Sequence, residues 1–175
     1  QIKAEKEEYA DLLRAITPVF FELCKMVVRK RCGIDLGKVT YVTKTGALCW
    51  KNDLKKINQS LYGFFLEMYP NGFRGGNVES DALSGIIYKS DPNKVSGRAF
   101  KEFRDIERKV RNIAAHNLIS VTDDWIQEKC GYNTKQIVEK LKSLVAISGI
   151  KVTSDSWDSY AAMNALIKEA FLLEV

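Results

Sequence analysis

The sequence contains one histidine, His116, and its two nearest polar neighbours upstream are suited to phosphate chemistry. Arg111 lies five positions before the histidine and Asn112 lies four positions before it. A histidine has an ordinary pKa of about 6.5, so it can accept or donate a proton at neutral pH. Arginine carries a permanent charge and a planar set of donors that fits phosphate oxygens. Asn112 can orient the histidine or donate to the phosphate, so the three residues predict proton transfer beside a bound phosphate.

A simpler role exists for a histidine near the end of a helix. Its side chain can interact with the last carbonyl groups, which carry partial negative charge, and this is the commoner role of a lone histidine. The neighbours of His116 favour the functional interpretation. With eight arginines in 175 residues, an arginine occupies one fixed position by chance in only about 5% of cases.

The three residues lie at the end of a predicted helix over about residues 97–118. Arg104 and Arg108 fall on the same polar half of this helix as Arg111 and Asn112, which predicts a basic stripe. Acidic residues alternate with the first two arginines, so a solvated face with intrahelical ion pairs is the alternative. The opposite half carries apolar residues at helical spacing, namely Phe100, Phe103, Ile106, Val110, Ile113 and Ala114.

The run Arg-Asn-Ile-Ala-Ala-His from Arg111 to His116 resembles the ribonuclease motif of HEPN domains. In that motif an arginine and a histidine are separated by four to six residues, and a polar residue follows the arginine directly. The surrounding segment 109–117 most resembles the C-terminal HEPN domain of the CRISPR-associated type III ancillary ribonucleases. The close match covers about residues 104–118. The resemblance implies an all-α domain and an endoribonuclease of type III antiviral defence.

RNA cleavage suits these residue types because RNA supplies its own nucleophile, the 2′-hydroxyl. Protein groups then have only to move protons and to neutralise the charge on phosphorus, so we expect no metal and no cofactor. The resemblance implies products with 2′,3′-cyclic phosphate and 5′-hydroxyl ends. We expect single-stranded RNA as the substrate, because in-line attack needs a flexible backbone. Arg104 and Arg108 are the predicted RNA-binding residues, and Arg111, Asn112 and His116 are the predicted catalytic residues.

The single histidine predicts a site shared between two chains. In-line cleavage profits from both a base and an acid, so two histidines require a homodimer, and the resemblance implies the same composite cleft. Two other classes of protein remain as alternatives. One is a non-catalytic helical RNA-binding or toxin–antitoxin partner domain, and the other is an interaction module whose basic face binds an acidic protein.

Charge is distributed unevenly along the chain. The net charge is +5, yet residues 25–111 carry 18 basic and 9 acidic residues, whereas both flanking segments have a net charge of −2. The middle of the chain is therefore expected to bind a polyanion. A length of 175 residues with 46% hydrophobic content fits one domain over residues 1–175 with a single core.

The four cysteines form no Cys-x-x-Cys pair, so we expect buried reduced thiols and no zinc site. The most apolar stretch, residues 16–28, is interrupted by charges, so we expect neither a signal peptide nor a membrane span, and a cytoplasmic protein. The family's CARF sensor for cyclic oligoadenylate is not part of these residues, and the chain is expected to be the C-terminal part of a longer protein.

Hydrophobic periodicity predicts a bundle of about six helices, with a loop or minor hairpin near residues 38–50. Pro18 either kinks a long first helix or begins a new one after Thr17. A second helix is expected from Asn52 or Asp53 to Met68. Further helices are predicted over about residues 79–88, over 97–118 as described above, between Thr122 and Gly131, and over 134–148 and 154–173.

Overall fold

The structure is a computed structural model that describes residues 8–69, 71–73, 75–91, 93–116 and 121–151, and within it the backbone alone of residues 111–116. The helix predicted over residues 154–173 lies outside the described residues. Within the described ranges the chain forms eight helices and a small sheet, so the predicted all-α class is confirmed. Six of these helices have eight or more residues and two have four.

The first helix, α1, spans Tyr9–Arg31 without interruption. Pro18 lies inside it, so of the two alternatives the single long helix is correct and a new helix at Thr17 is wrong. Cys32 caps the C-terminal end of the helix, and Gly33 follows with a φ of 67°, a conformation that favours glycine. The buried face of α1 runs along most of its length, which offsets the hydrogen bond that proline cannot donate.

A small antiparallel sheet follows α1. The short helix α2, Leu36–Val39, leads into strand β1, Thr40–Val42, which pairs with β2, Leu48–Trp50. The minor hairpin predicted near residues 38–50 is thus confirmed. A third strand, β3, Gly76–Asn77, pairs with β2. Two residues give no alternating pattern, so β3 was not predicted from the sequence.

The helix predicted from Asn52 or Asp53 to Met68 is two helices, and that prediction is wrong. The short helix α3 spans Leu54–Ile57 and α4 spans Gln59–Met68. Between them Asn58 is extended, with φ −150° and ψ 91°, and its side chain accepts a hydrogen bond from the backbone N–H of Leu61 at 2.9 Å. Asn58 therefore ends one helix and caps the next.

Helices α5, Ser80–Ser90, and α6, Val95–His116, form a tightly packed hairpin. The Asp91 carboxylate accepts the backbone N–H of Gly97 at 3.0 Å in the turn between them. A Cβ on Gly97 would lie 2.4 Å from the Cα of Tyr88, so the absence of a side chain permits this close approach.

Helices α7, Asp123–Cys130, and α8, Thr134–Ile147, begin and end as their sequences predict. The Thr122 side chain accepts the N–H of Trp125, and Gly131 ends α7 in the left-handed conformation. Asn133 begins α8 with a reciprocal pair of hydrogen bonds to Gln136. Both helices pack against α6.

The core lies between α1, α5 and α6, which contact one another extensively. Phe20 of α1 packs against Phe100 and Phe103 of α6, with ring centroids 6.0 and 5.0 Å apart. All three rings are fully or almost fully buried. Among the helices of the described residues, none has an apolar run long enough to cross a bilayer.

Candidate active site

The backbone of α6 is helical through Arg111, Asn112 and His116, so the structure fixes the relative directions of these residues about the helix axis. At 100° per residue, His116 lies about 40° round from Asn112 and about 140° round from Arg111, and it is about 7.5 Å further along the axis than Arg111. Asn112 and His116 therefore share one side of the helix, whereas Arg111 lies toward another.

Helices α1 and α6 run antiparallel and fix the end of α6 that carries the three residues. At one end of the pair, the Arg31 guanidinium donates to the Ser96 hydroxyl at 3.3 Å. Towards the other end, Leu13 of α1 and Ile137 of α8 line a small cavity together with Val110 of α6. Val110 is 1% exposed. The helix is thus packed against two others directly before Arg111, which gives the predicted catalytic residues a rigid support.

Arg104 and Arg108, both predicted to bind RNA, have different environments. The Arg104 side chain is 20% exposed and donates to the Glu107 carboxylate at 2.9 Å, while Glu107 is only 3% exposed. The Arg108 side chain is 60% exposed and pairs with the equally exposed Asp105 at 3.1 Å. The predicted intrahelical ion pairs are both present. Only the Arg108 pair, however, belongs to a solvated face.

Glu107 is the residue near the site whose environment was missed from the sequence, where it counted as one of the surface acids. It lines the apolar cavity between α1, α6 and α8, and Arg104 neutralises its charge. Its spacing gave a signal. Glu107 follows Phe100 by seven residues and Phe103 by four, which places it on the apolar face. It also precedes Arg111 by four residues, the spacing at which glutamate and arginine are neighbours on a helix.

The cysteines are free, and Cys24, which the charges of this ion pair influence, is fully buried. Burial raises the pKa of the Cys24 thiol, and the negative charge of Glu107 raises it further. Cys49 and Cys130 are buried as well, whereas Cys32 is half-buried. Within the described part of the chain, no group of three or more His, Cys, Asp or Glu side chains could hold a metal ion.

A helical bundle in which one long helix ends with an Arg-x-x-x-x-His run has the architecture of a HEPN domain. The family model of the Cas_Csm6 HEPN domain matches residues 1–168. The chain therefore belongs to this family, the HEPN domain of CRISPR-associated Csm6-type ribonucleases, which act in type III CRISPR systems. Among curated proteins none matches the chain.

Proposed function

We propose that the chain is a metal-independent endoribonuclease that cleaves single-stranded RNA through Arg111, Asn112 and His116. The observation that carries the proposal is the unbroken helix α6, which presents these residues at its end inside a domain of a ribonuclease family. The four free thiols favour a reducing compartment, so we place the activity in the cytoplasm.

The proposed reaction is a displacement at phosphorus. The 2′-oxygen forms a bond to phosphorus while the bond between phosphorus and the 5′-oxygen breaks. A base takes the 2′-hydroxyl proton, and an acid gives a proton to the departing 5′-oxygen, so the products are a 2′,3′-cyclic phosphate and a 5′-hydroxyl. His116 can fill either proton role, and Arg111 neutralises the charge on the phosphate oxygens.

Analysis of the product ends tests this chemistry. We expect each new 3′ end to resist a phosphatase until acid opens the cyclic phosphate, and each new 5′ end to accept phosphate from a kinase directly. A 5′-phosphate end would contradict attack by the 2′-oxygen. If RNA binds but is not cut under any condition, the non-catalytic RNA-binding or toxin–antitoxin alternative is favoured instead.

The proposed site is composite because one chain supplies a single histidine. A two-fold dimer that brings the ends of two α6 helices together would supply both a base and an acid, and two Arg111 side chains would face one phosphate. Helix geometry supports this, since the backbone positions of Arg111 and His116 lie about 140° apart around the axis of α6. Groups from a second chain can complete the ring of contacts around the phosphate.

Mixing subunits tests the composite site. Wild-type protein is exchanged with an excess of His116→Ala chains, and a shared site predicts that the activity per wild-type chain falls as the mutant fraction rises. A surface variant such as Lys135→Ala provides the control for dilution, because Lys135 is exposed and lies on α8. Activity that stays proportional to the wild-type chain concentration at all ratios would show that each chain works independently.

A further inference from the structure

The net positive charge of residues 25–57 is larger than that of the whole chain. They contain nine basic and two acidic residues, a net charge of +7 against +5 for all 175 residues. None of these residues belongs to the proposed catalytic group.

The fold brings most of these cations to one region at the end of α1. Helix α2 packs against the end of α1, against α3 and against β1. The Lys51 ammonium donates to the backbone carbonyl of Lys38 at 2.8 Å, which joins α2 to the end of β2. We call eight of these cations the basic surface, leaving out Lys25, which pairs with Glu22; its members are Arg29, Lys30, Arg31, Lys38, Lys44, Lys51, Lys55 and Lys56. All of them are exposed except the half-buried Lys51.

The basic surface differs from the rest of the molecule in the pairing of its charges. Between described residues, the ion pairs of the structure involve cations elsewhere, such as Lys89 with Glu67 and Lys140 with Glu102. No member of the basic surface has such an ion pair. Nearby Asp35 does not supply one, because its carboxylate caps α2 by accepting the N–H of Gly37 at 3.0 Å.

Helix dipoles explain only part of this charge. Arg29, Lys30 and Arg31 occupy the last turn of α1, where cations stabilise a helix. The last turns of the four-residue helices α2 and α3 likewise hold Lys38, Lys55 and Lys56. Lys44 lies in the turn between two strands and Lys51 follows β2, so neither is at a helix C-terminus. Within the described part of the chain these eight cations have no ion pair, so together they create a positive potential that attracts an anion.

An exposed aromatic ring accompanies these cations. Tyr41 lies on β1, an edge strand, and is 46% exposed. Alternation along the strands places Tyr41 and Lys51 on the same face of the sheet, and Trp50 on the opposite face, where it packs against Phe65 of the core. An exposed ring beside cations that have no ion pair between described residues is a combination that binds single-stranded nucleic acid, through base stacking and phosphate contacts.

The position of the basic surface is far from the proposed catalytic residues. Arg31 contacts Ser96 in the first turn of α6, whereas Arg111 and His116 lie 15 and 20 residues further along the same helix. A rise of 1.5 Å per residue separates the two regions by about 20 to 30 Å. A strand that contacts both must therefore be several nucleotides long.

We propose that the basic surface is a second RNA-binding site, which holds the phosphate backbone of single-stranded RNA about 20 to 30 Å from the bond that is cut. This inference rests on the proposed function for the identity of the strand. It adds a binding site that contributes affinity rather than chemistry, and it predicts that long RNA binds more tightly than short RNA.

The test compares two triple variants with equal changes in charge. The first, Lys38→Glu/Lys44→Glu/Lys56→Glu, alters three exposed members of the basic surface. The control, Lys129→Glu/Lys135→Glu/Lys151→Glu, alters three exposed lysines of α7, α8 and the residues after α8. Both are made in a His116→Ala background so that the RNA stays intact. Binding of fluorescent single-stranded RNAs of about 25 and about 4 nucleotides is measured by anisotropy at several salt concentrations.

We expect the first triple variant to bind the long RNA roughly 10- to 100-fold more weakly. The slope of the logarithm of the binding constant against the logarithm of the salt concentration should become shallower by about 2, because three phosphate contacts are lost. The control and the short RNA should change far less. Equal weakening by both variants, or a long-RNA affinity and salt slope that match the parent, would overturn the proposal. If the first triple variant weakens RNA binding while the wild-type chain, assayed separately, never cuts RNA, the proposed function is contradicted and this site stands. If the first triple variant keeps its affinity for single-stranded RNA but loses binding to duplex DNA or to an acidic protein, the surface belongs to that other partner and the proposal is wrong.

Discussion

The two ends of α6 differ in what they offer to a polyanion. Near its beginning, the neighbouring elements carry eight cations without ion pairs between described residues, and an exposed tyrosine. At its other end it carries Arg111, Asn112 and His116, the three residues suited to proton transfer and charge neutralisation at one phosphate. Together the two proposals predict that affinity and rate are supplied by separate regions, so that mutations change one without the other.

The largest effect is expected at the C-terminal end of α6. His116→Ala and Arg111→Ala should each reduce turnover by about two to four orders of magnitude, since each removes a proton-transfer or charge-stabilising group. Single-turnover cleavage measures the rate and anisotropy measures the RNA affinity, which should change much less for His116→Ala. Circular dichroism verifies the fold. Wild-type turnover by His116→Ala would remove the histidine from the mechanism.

A second prediction separates the two arginines of the supposed stripe. Arg104→Ala leaves Glu107 buried without its partner and should lower the free energy of unfolding by about 2 to 4 kcal/mol. Arg108→Ala breaks an exposed pair and should lower it by less than about 0.5 kcal/mol. Urea denaturation of both variants measures the difference. The double variant Arg104→Met/Glu107→Leu should recover much of the loss, and equal stability of the two single variants would contradict the structural role of Arg104.

RNA binding provides a smaller effect at the same two positions. Arg108→Glu should weaken binding by roughly three- to tenfold and reduce the salt dependence, because an exposed cation can exchange Asp105 for phosphate. The effect of Arg104 on RNA should be indirect, through stability, although both residues were predicted as contacts. Anisotropy titrations at two salt concentrations test this, with Arg108→Lys as the control that keeps the charge. If Arg108→Glu keeps the wild-type affinity and salt slope, Arg108 does not contact RNA and this face is only solvated.

The smallest effect concerns a surface cluster between α6 and α8. The Tyr132 hydroxyl donates to Glu102 at 2.6 Å and Lys140 donates to it at 2.9 Å, and these bonds lower the pKa of Glu102. A lowered pKa in the folded state stabilises the fold above the ordinary pKa of glutamate, and that stabilisation is lost as the pH falls through the lowered value. Because Glu102 is half-exposed, the contribution should be below about 1 kcal/mol.

Comparing wild type with Glu102→Gln by urea denaturation between pH 7 and pH 3 measures this contribution. The stability difference should shrink as the pH falls. A difference that stays constant with pH would show that the carboxylate charge of Glu102 plays no part.

The sequence predicted those features of the fold that depend on local patterns. The periodicity of Phe100, Phe103 and Ile106 indicated α6, and Thr122 with Gly131 marked the ends of α7 correctly. The break at Asn58 was missed because the apolar spacing continues across it, and only the backbone conformation shows that its side chain caps a new helix. Strand β3 was missed because its pairing with β2 is a long-range contact.

The candidate site was predictable in its residues and less so in its surroundings. His116 and Arg111 stand out by type and spacing, since each of the two side chains is suited to one part of RNA cleavage. The burial of Glu107 and the contrast between Arg104 and Arg108 depend on how α1 and α8 pack on α6, which a single-helix projection does not contain. The basic surface likewise needed the packing of α2 on α1 and α3.

The most direct test of the central claim is cleavage of a mixed pool of single-stranded RNA in the presence of EDTA, by wild type and His116→Ala side by side. We predict that the wild type cuts the pool under chelation and that the variant is slower by about two to four orders of magnitude. Activity that EDTA abolishes and that magnesium or manganese restores would contradict the mechanism, as would equal cleavage by the two proteins.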